Sequence, residues 1–323
     1  MTVPERQTAN LEYLDLDPAR PSPRERVLAG LKRPRKEISP EFFYDRRGSE
    51  LFRRITELPE YYPTRTERSI FALHGSEMAR WAGRDSVLIE PGAGDCTKVE
   101  ALLDHLGPRA YVPLDVSGDF LLARARELAG DFPALPVTAV CADFDQIESL
   151  AQYLPPGRRL FFYPGSTLGN LTPDEALIFL RKLRGIMGAD GGLLLGLDRH
   201  KDPAILEAAY NDPGGVTAAF NLNALRHLNR ILPADFDPEA FRHRAFYNRE
   251  RYRIEMHLES LRDQTVDCAG TTVHFARGET LHTENSCKYT PEGTRALLEK
   301  AGLQLRKSWY DERELFGVHY CTP

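Results

Sequence analysis

The run Ile89-Glu90-Pro91-Gly92-Ala93-Gly94-Asp95-Cys96-Thr97-Lys98 is the sharpest chemical signal in the chain. An acidic residue closes an apolar run and a GxG turn follows, so backbone can approach a ligand where a side chain would clash. A dinucleotide fingerprint needs a third glycine, and Thr97 stands in that place, so no pyrophosphate cradle is expected. Twenty-five residues beyond Glu90, Asp115 ends the run Tyr111–Asp115, where a carboxylate can accept from both hydroxyls of a ribose. Asp143-Phe144 ends the next run and offers an acceptor for an exocyclic amine beside a ring for the face of adenine. Each aspartate alone is as well explained as a helix cap. Three acidic residues in order at successive strand ends point instead to a nucleoside-containing cofactor.

Other groups could complete a site. In Pro164–Pro173 (PGSTLGNLTP) the Asn170 amide can donate to a carboxylate. The plain alternative is a turn asparagine, with Thr172 capping the helix that begins TPDEA. Tyr61-Tyr62-Pro63 fits either core rings at an ordered turn or a pocket for a cationic nitrogen, attracted by about 0.5–2 kcal/mol per ring. Some of Tyr44, Phe52 and Tyr61 are expected to line a pocket, with Phe42 and Phe43 as core. Glu284 and Ser286 stand two apart on an extended segment, so they can address one ligand from one side, or both face solvent. The nine histidines are scattered. His257, His274 and His282 read as surface strand positions, none has metal-ligand spacing, and no metal is expected. The pairs Arg46-Arg47 and Arg53-Arg54 read as solvated faces.

The elements that must position these groups alternate. Strand-like runs Ser86–Glu90, Tyr111–Asp115, Val137–Asp143, Arg159–Tyr163 and Gly191–Asp198 are interleaved with helical patterns such as Lys98–Leu106 and Gly118–Gly130. Short apolar strands alternating with amphipathic helices predict a mostly parallel sheet covered on both faces, a doubly wound α/β fold with its ligands beyond the carboxyl ends of the strands. Residues 203–283 break the rhythm with helices at Ala204–Tyr210 and Ala218–Ile231 and antiparallel-type strands at Tyr252–Leu258 and Thr271–Ala276. The α/β pattern returns with a helix over Pro291–Ala301 and strands Leu303–Tyr310 and Leu315–Cys321. The simplest account is a Rossmann-like domain interrupted by an insertion, which the aromatic region 41–67 joins as a second α+β domain. The boundaries are 1–65 and 201–286 for the second domain, 66–200 and 287–323 for the Rossmann-like one. Residues 1–40 read as a polar leader with one short helix over Pro23–Leu31.

Composition agrees with an intracellular enzyme. The 323 residues are 42% hydrophobic and 28% charged with net charge −5, enough for real cores and without the basic stripe that would neutralise a nucleic-acid backbone. Five scattered cysteines with no CxxC pair argue against a disulfide framework or zinc site and for a reducing compartment. No apolar stretch is long enough to span a bilayer, and the first residues lack a signal-type apolar core. A cytoplasmic monomer without nucleic-acid or membrane partners is the expectation.

A GxG turn after an acidic strand end is how doubly wound methyltransferases open their S-adenosylmethionine site, so that cofactor is expected, with S-adenosylhomocysteine as product. From about Phe43 onward the chain also resembles the L-histidine Nα-methyltransferases of ergothioneine biosynthesis. The resemblance is carried by FYDRRGSELFRRITELPEYYPTRTE, EPGAGDCTK, FFYPGSTLGNLTP, YNDPGGVTAAFN, RIEMHL and LHTENSCKY. The leader lies outside it, and EPGAG replaces the ELGSG-type wording of some relatives with glycine and lysine spacing intact. The resemblance implies that Tyr44, Gly92, Lys98, Asp115, Asp143 and Phe144 contact the cofactor, Lys98 through its methionine carboxylate. It implies that Asn170 and Tyr210 bind the substrate carboxylate, and that Tyr61 with the Gly165 carbonyl orients the amine. Phe52 and Met256 would wall the pocket, Glu284 and Ser286 would hold the imidazole, and Thr217 would support them.

The chemistry so implied is displacement at a sulfonium methyl by a neutral α-amine, three times over, yielding Nα-trimethylated histidine (hercynine). Tyr61 is placed to pass the released proton outward. Two other readings are open from the residues alone: an Nα-methyltransferase of tryptophan or tyrosine, and a non-catalytic sensor of amino acid or cofactor.

Overall fold

The computed structural model describes residues 9–16, 21–142 and 144–323, and the side chains of all of these but 144–146. The first half holds β1 (Leu11–Asp15), α1 (Pro23–Leu31), α2 (Arg46–Thr56), α3 (Tyr62–Ala82), β2 (Val87–Pro91), α4 (Thr97–Leu106) and β3 (Ala110–Asp115). There follow α5 (Gly118–Asp131), β4 (Val137–Cys141), β5 (Arg159–Tyr163), α6 (Pro173–Met187) and β6 (Gly192–Asp198). The interruption contains α7 (Pro203–Tyr210), α8 (Val216–Ile231), β7 (Phe241–Asn248), β8 (Arg253–Ser260), β9 (Gln264–Cys268), β10 (Thr271–Phe275) and β11 (Thr280–Cys287). The chain ends with α9 (Pro291–Lys300), β12 (Gln304–Tyr310) and β13 (Phe316–Thr322).

Eight strands form the main sheet in the order β1-β4-β3-β2-β5-β6-β13-β12. β1 to β6 run parallel, whereas β13 pairs antiparallel with β6 and β12 antiparallel with β13. Buried Val, Leu, Ile and Phe on β2, β3 and β5 pack helices against both faces, as apolar runs of five or six residues require. The strand order reverses between β2 and β5, which makes the crevice above their carboxyl ends the natural ligand position of such a sheet.

A separate apolar cluster combines Val27, Leu51, Ile55 and Tyr62 with Tyr210, Phe220, Leu258 and Leu281. Residues of the N-terminal region and of the insertion thus share one apolar cluster. Phe42 and Phe43 lie in it, 3% and 1% exposed, while all four arginines of α2 face solvent.

Two elements differ from expectation. Leu11–Asp15, read as leader, is the edge strand of the main sheet, in register with Val137–Cys141, and Asn10 donates its side-chain amide to the carbonyls of Ala129, Phe132 and Leu135. Its short mixed pattern becomes a strand only because β4 offers an open edge. The 21-residue helix α3 spans position 65, with Pro63 at its start and Gly83 at its end, and its buried face runs from Tyr62 through Ile70, Phe71 and Met78 to Ala82.

Candidate functional site

Gly92 and Gly94 leave β2 with φ of 68° and 54°, a left-handed turn that side chains resist. Nothing stands within 4 Å of where a Gly94 side chain would begin, so the turn opens on free space. Asp115, at the end of β3, accepts from the Gly94 N–H at 3.1 Å and from the Ser117 N–H at 3.0 Å. Each carboxylate oxygen keeps a lone pair for a ligand diol. An open glycine turn beside an oriented carboxylate fits a ribose-bearing cofactor. Asp143 lies outside the described residues, and so does the side chain of Phe144.

Glu90 has a different task from the one its position suggests. It is 1% exposed and accepts from the Tyr111 hydroxyl at 2.5 Å beneath the turn. Burial raises its pKa to about 8, against the opposing effect of the Tyr111 bond. It braces the glycine turn from within. Lys98, in the first turn of α4, pairs with Glu67 at 3.1 Å, and the other oxygen of Glu67 accepts from the Gly165 N–H at 2.6 Å. Gly165 has φ of 76°, which favours glycine where the β5 turn meets α4, and the Lys98 ammonium lies against its open side. Glu67 therefore ties the turn after β2 to the turn after β5.

On the opposite side, β11 pairs antiparallel with β8, with a register shift between His282 and Glu284. Beyond the shift Glu284 lies opposite Met256 and Ser286 opposite Ile254. Both fall on the face toward Tyr210, whose hydroxyl donates to Ser286 Oγ at 2.8 Å. Burial raises the Glu284 carboxyl to about 7, with Lys288 pulling the other way. Rings continue outward from Tyr210 to Tyr61 (6.2 Å), Tyr61 to Phe52 (6.5 Å) and Phe52 to Tyr44 (5.7 Å), all edge to face. Tyr44 is the outermost of these rings and is 40% exposed. The Tyr61 phenol is raised by burial and then by Tyr210 and Glu284, so it stays protonated at neutral pH.

Asn170 ends the turn Thr167–Asn170, which rests on β11: a side chain on Gly169 would begin 3.0 Å from the Cys287 carbonyl oxygen. Thr172 also caps α6 in a reciprocal box with Glu175, so the plain reading of that threonine holds. Met256 is buried in the core shared with Tyr210 and Phe220. Thr217 is buried early in α8, where its N–H donates to Asp212 Oδ1 at 2.8 Å.

Beneath the site lies a charge network that sequence reasoning missed. Asp198, at the end of β6, receives Lys288 at 2.7 Å, Lys201 at 2.6 Å, and the Tyr62 hydroxyl at 2.9 and 2.8 Å. Burial alone would raise its carboxyl, but Lys288 and Lys201 outweigh it and hold the group below its ordinary value. Burial lowers Lys201 to about 8. Tyr62 and Lys288 lie 136 and 90 residues from Asp198, so only its pairing with Lys201, three residues on, is local.

The histidine reading needs a correction. His257 is only 9% exposed, stacks on Phe246 and faces the half-buried His282 across the strand pair; His274 alone of the three is exposed. Glu255, His257 and His282 bring ligand-type atoms within 4.8 Å of one another. Arg253 and Asn248 donate to Glu255, His257 Nε2 lies 3.2 Å from the other Glu255 oxygen and Asn285 binds His282, while His257 Nδ1 is buried without a partner among the described residues. All five cysteines are free and buried, and among the described residues no helix is long and apolar enough to cross a membrane.

A doubly wound sheet with a left-handed glycine turn at its switch point and an aspartate at the end of the neighbouring strand β3 fits one class: the S-adenosylmethionine-dependent methyltransferases. The match is closer than class. Residues 23–323 fit the model of the histidine-specific, S-adenosylmethionine-dependent methyltransferases, and the chain belongs to that family. It is 45% identical over 298 residues to the histidine N-alpha-methyltransferase of Mycobacterium tuberculosis, covering 90% of this chain and 92% of that one. To the enzyme of the same name from Mycolicibacterium smegmatis it is 42% identical, over 95% and 96% of the two chains. An L-tryptophan methyltransferase of Psilocybe serbica is 28% identical over 93% and 92%.

Proposed function

We propose that the enzyme methylates the α-amino nitrogen of L-histidine three times to give hercynine, the first step of ergothioneine biosynthesis, releasing S-adenosylhomocysteine at each transfer. The observation that carries this is the pair Glu284 and Ser286, a carboxylate and a hydroxyl side by side on one strand. Such a pair suits a ring with two polar nitrogens, whereas an indole or phenol ring would leave one of them unpartnered.

In this reading Tyr44, Gly92, Lys98, Asp115, Asp143 and Phe144 hold the cofactor. Asn170 and Tyr210 take the substrate carboxylate, the Tyr210 hydroxyl turning from Ser286 as the ligand arrives. The Tyr61 hydroxyl and the Gly165 carbonyl receive the amine, Phe52 and Met256 close the sides, and Thr217 supports them. Bound S-adenosylmethionine supplies a methyl group already activated on a sulfonium, so the protein's task is alignment and exclusion of water. An ammonium cannot attack; the positive charge beside it favours loss of its proton. Tyr61, kept neutral, can accept an N–H and pass a proton on but cannot serve as a phenolate base. As methyls accumulate the nitrogen becomes cationic and loses its donors, and the rings of Tyr44, Phe52 and Tyr61 still attract it. On this reading the enzyme is a cytoplasmic monomer; five buried free thiols fit a reducing compartment.

Mass spectrometry of histidine incubated with enzyme and cofactor tests the proposal: a product carrying three added methyls is expected, and binding of histidine without S-adenosylhomocysteine release would make the protein a sensor. Asp115→Ala is expected to weaken cofactor binding by about 1.5–3 kcal/mol, the value of a charge-assisted bond. Calorimetry checks it, and unchanged affinity removes Asp115 from the site.

A further inference from the structure

Lys288 has no part in the scheme above, yet its side chain is wholly buried beneath the site. Its ammonium has three acceptors: Asp198 Oδ2 at 2.7 Å, Ser286 Oγ at 2.7 Å and the Tyr210 hydroxyl oxygen at 3.4 Å. They match the three N–H bonds of an ammonium, and two of them are hydroxyls assigned to the substrate. Asp198 does not need this cation for neutrality, since Lys201 at 2.6 Å already supplies one. Burying a second ammonium carries a desolvation penalty that a merely structural brace would avoid. What it adds is control of Ser286.

Ser286 Oγ has two lone pairs and one proton. Lys288 takes one lone pair and the Tyr210 O–H the other, so the Ser286 proton is left to point toward the face it shares with Glu284. If Tyr210 turns to a substrate carboxylate, the ammonium still sits 2.7 Å behind the oxygen, polarising the hydroxyl to donate outward and repelling a cationic ring. The anchor itself is firm. Asp198 is where the chain leaves the main sheet and Lys288 is where it leaves β11, and the two points are joined by the Tyr289 N–H donating to the Asp198 carbonyl at 2.9 Å. The Asp198 N–H also donates to Ser166 Oγ at 2.9 Å, in the turn that carries Asn170.

We propose that Lys288, anchored by Asp198, is a positioning residue that sets Ser286 as a hydrogen-bond donor, so that the site takes neutral imidazole with its N–H on Glu284 and its bare nitrogen on Ser286. The inference rests on the histidine reading. An imidazolium offers two N–H groups and no acceptor, so it would meet the Ser286 proton head on.

Nitrogen-15 NMR of labelled histidine bound to the wild-type enzyme with S-adenosylhomocysteine tests this at about pH 6, below the ring's ordinary pKa of about 6.5. One protonated and one bare ring nitrogen are expected; two protonated nitrogens overturn the proposal. Lys288→Met, which leaves Asp198 paired with Lys201, is expected to raise the KM for histidine about tenfold with cofactor affinity unchanged. In a Ser286→Ala background the same substitution should change KM less than about twofold, because the residue through which it acts is gone. Lys288→Arg should restore part of the loss. Full additivity in that background, or an equal loss of cofactor affinity, makes Lys288 only a brace. Should Lys288→Met fail to fold, the NMR result decides. Histidine methylated but bound as imidazolium refutes this inference alone; no methylation of histidine refutes the reading beneath it.

Discussion

Glu284→Ala is expected to raise the KM for histidine about 10- to 100-fold while leaving cofactor affinity where it was. The lost contact is a hydrogen bond to a charged group in a desolvated site, worth about 1.5–3 kcal/mol, and each 1.4 kcal/mol is a factor of ten. Because Glu284 titrates near 7 in the free enzyme, the wild-type KM should fall as pH rises through that value and the carboxylate becomes available to accept. Glu284→Gln cannot ionise and should lose this limb of the profile while retaining any limb due to the substrate amine. Steady-state kinetics from about pH 6 to pH 9 measures both effects. Histidine kinetics unchanged in Glu284→Ala would remove the residue from ring recognition and reopen other amino acids as substrates.

Asp198→Ala is expected to give the largest loss of stability. It strands Lys201 and Lys288, whose side chains are 7% and 0% exposed, without the carboxylate they share. Removing one partner of a buried ion pair costs about 3–5 kcal/mol because the remaining charge stays uncompensated. Urea unfolding at neutral pH reads the difference, and a loss below about 1 kcal/mol would mean that water reaches the two ammonium groups. The sign of the pH dependence follows from the depressed carboxyl. Its folded pKa lies below the unfolded one, so its stabilising effect is fully present above the ordinary aspartate value of about 3.9 and is lost as pH falls through the folded value. The variant should accordingly show a flatter acid limb than the wild type.

The two results would separate recognition from support. In the proposed site Glu284 would meet the ligand, whereas Asp198 binds Tyr62, Lys201 and Lys288 and would reach the ligand only through Lys288 and Ser286. Glu67 has a similar supporting place on the cofactor side, between Lys98 and Gly165.

Much of this was legible in the residues. The apolar runs that became β2 to β6, the Gly92–Gly94 turn, the carboxylate at Asp115 and the shared face of Glu284 and Ser286 all follow from spacing within ten residues or so. Backbone periodicity and glycine conformation are local properties, and a strand or turn imposes them whatever lies around it. The polar fate of Glu90 was not legible, because an acid at a strand end looks the same whether it faces a ligand or, as here, a buried tyrosine hydroxyl. The inward histidines His257 and His282 were hidden in the same way, since strand alternation does not tell which face of the small sheet is covered.

The sequence by itself determined a doubly wound α/β sheet with its rhythm interrupted after β6, a glycine turn at a strand end, and a carboxylate and a hydroxyl two apart on one extended segment. Only the tertiary structure decided that Leu11–Asp15 completes the main sheet and that Tyr62, Asp198, Lys201 and Lys288 share one buried network under Ser286. The reason is range: conformation is set by neighbours along the chain, but the state of a charge is set by which distant groups exclude water from it.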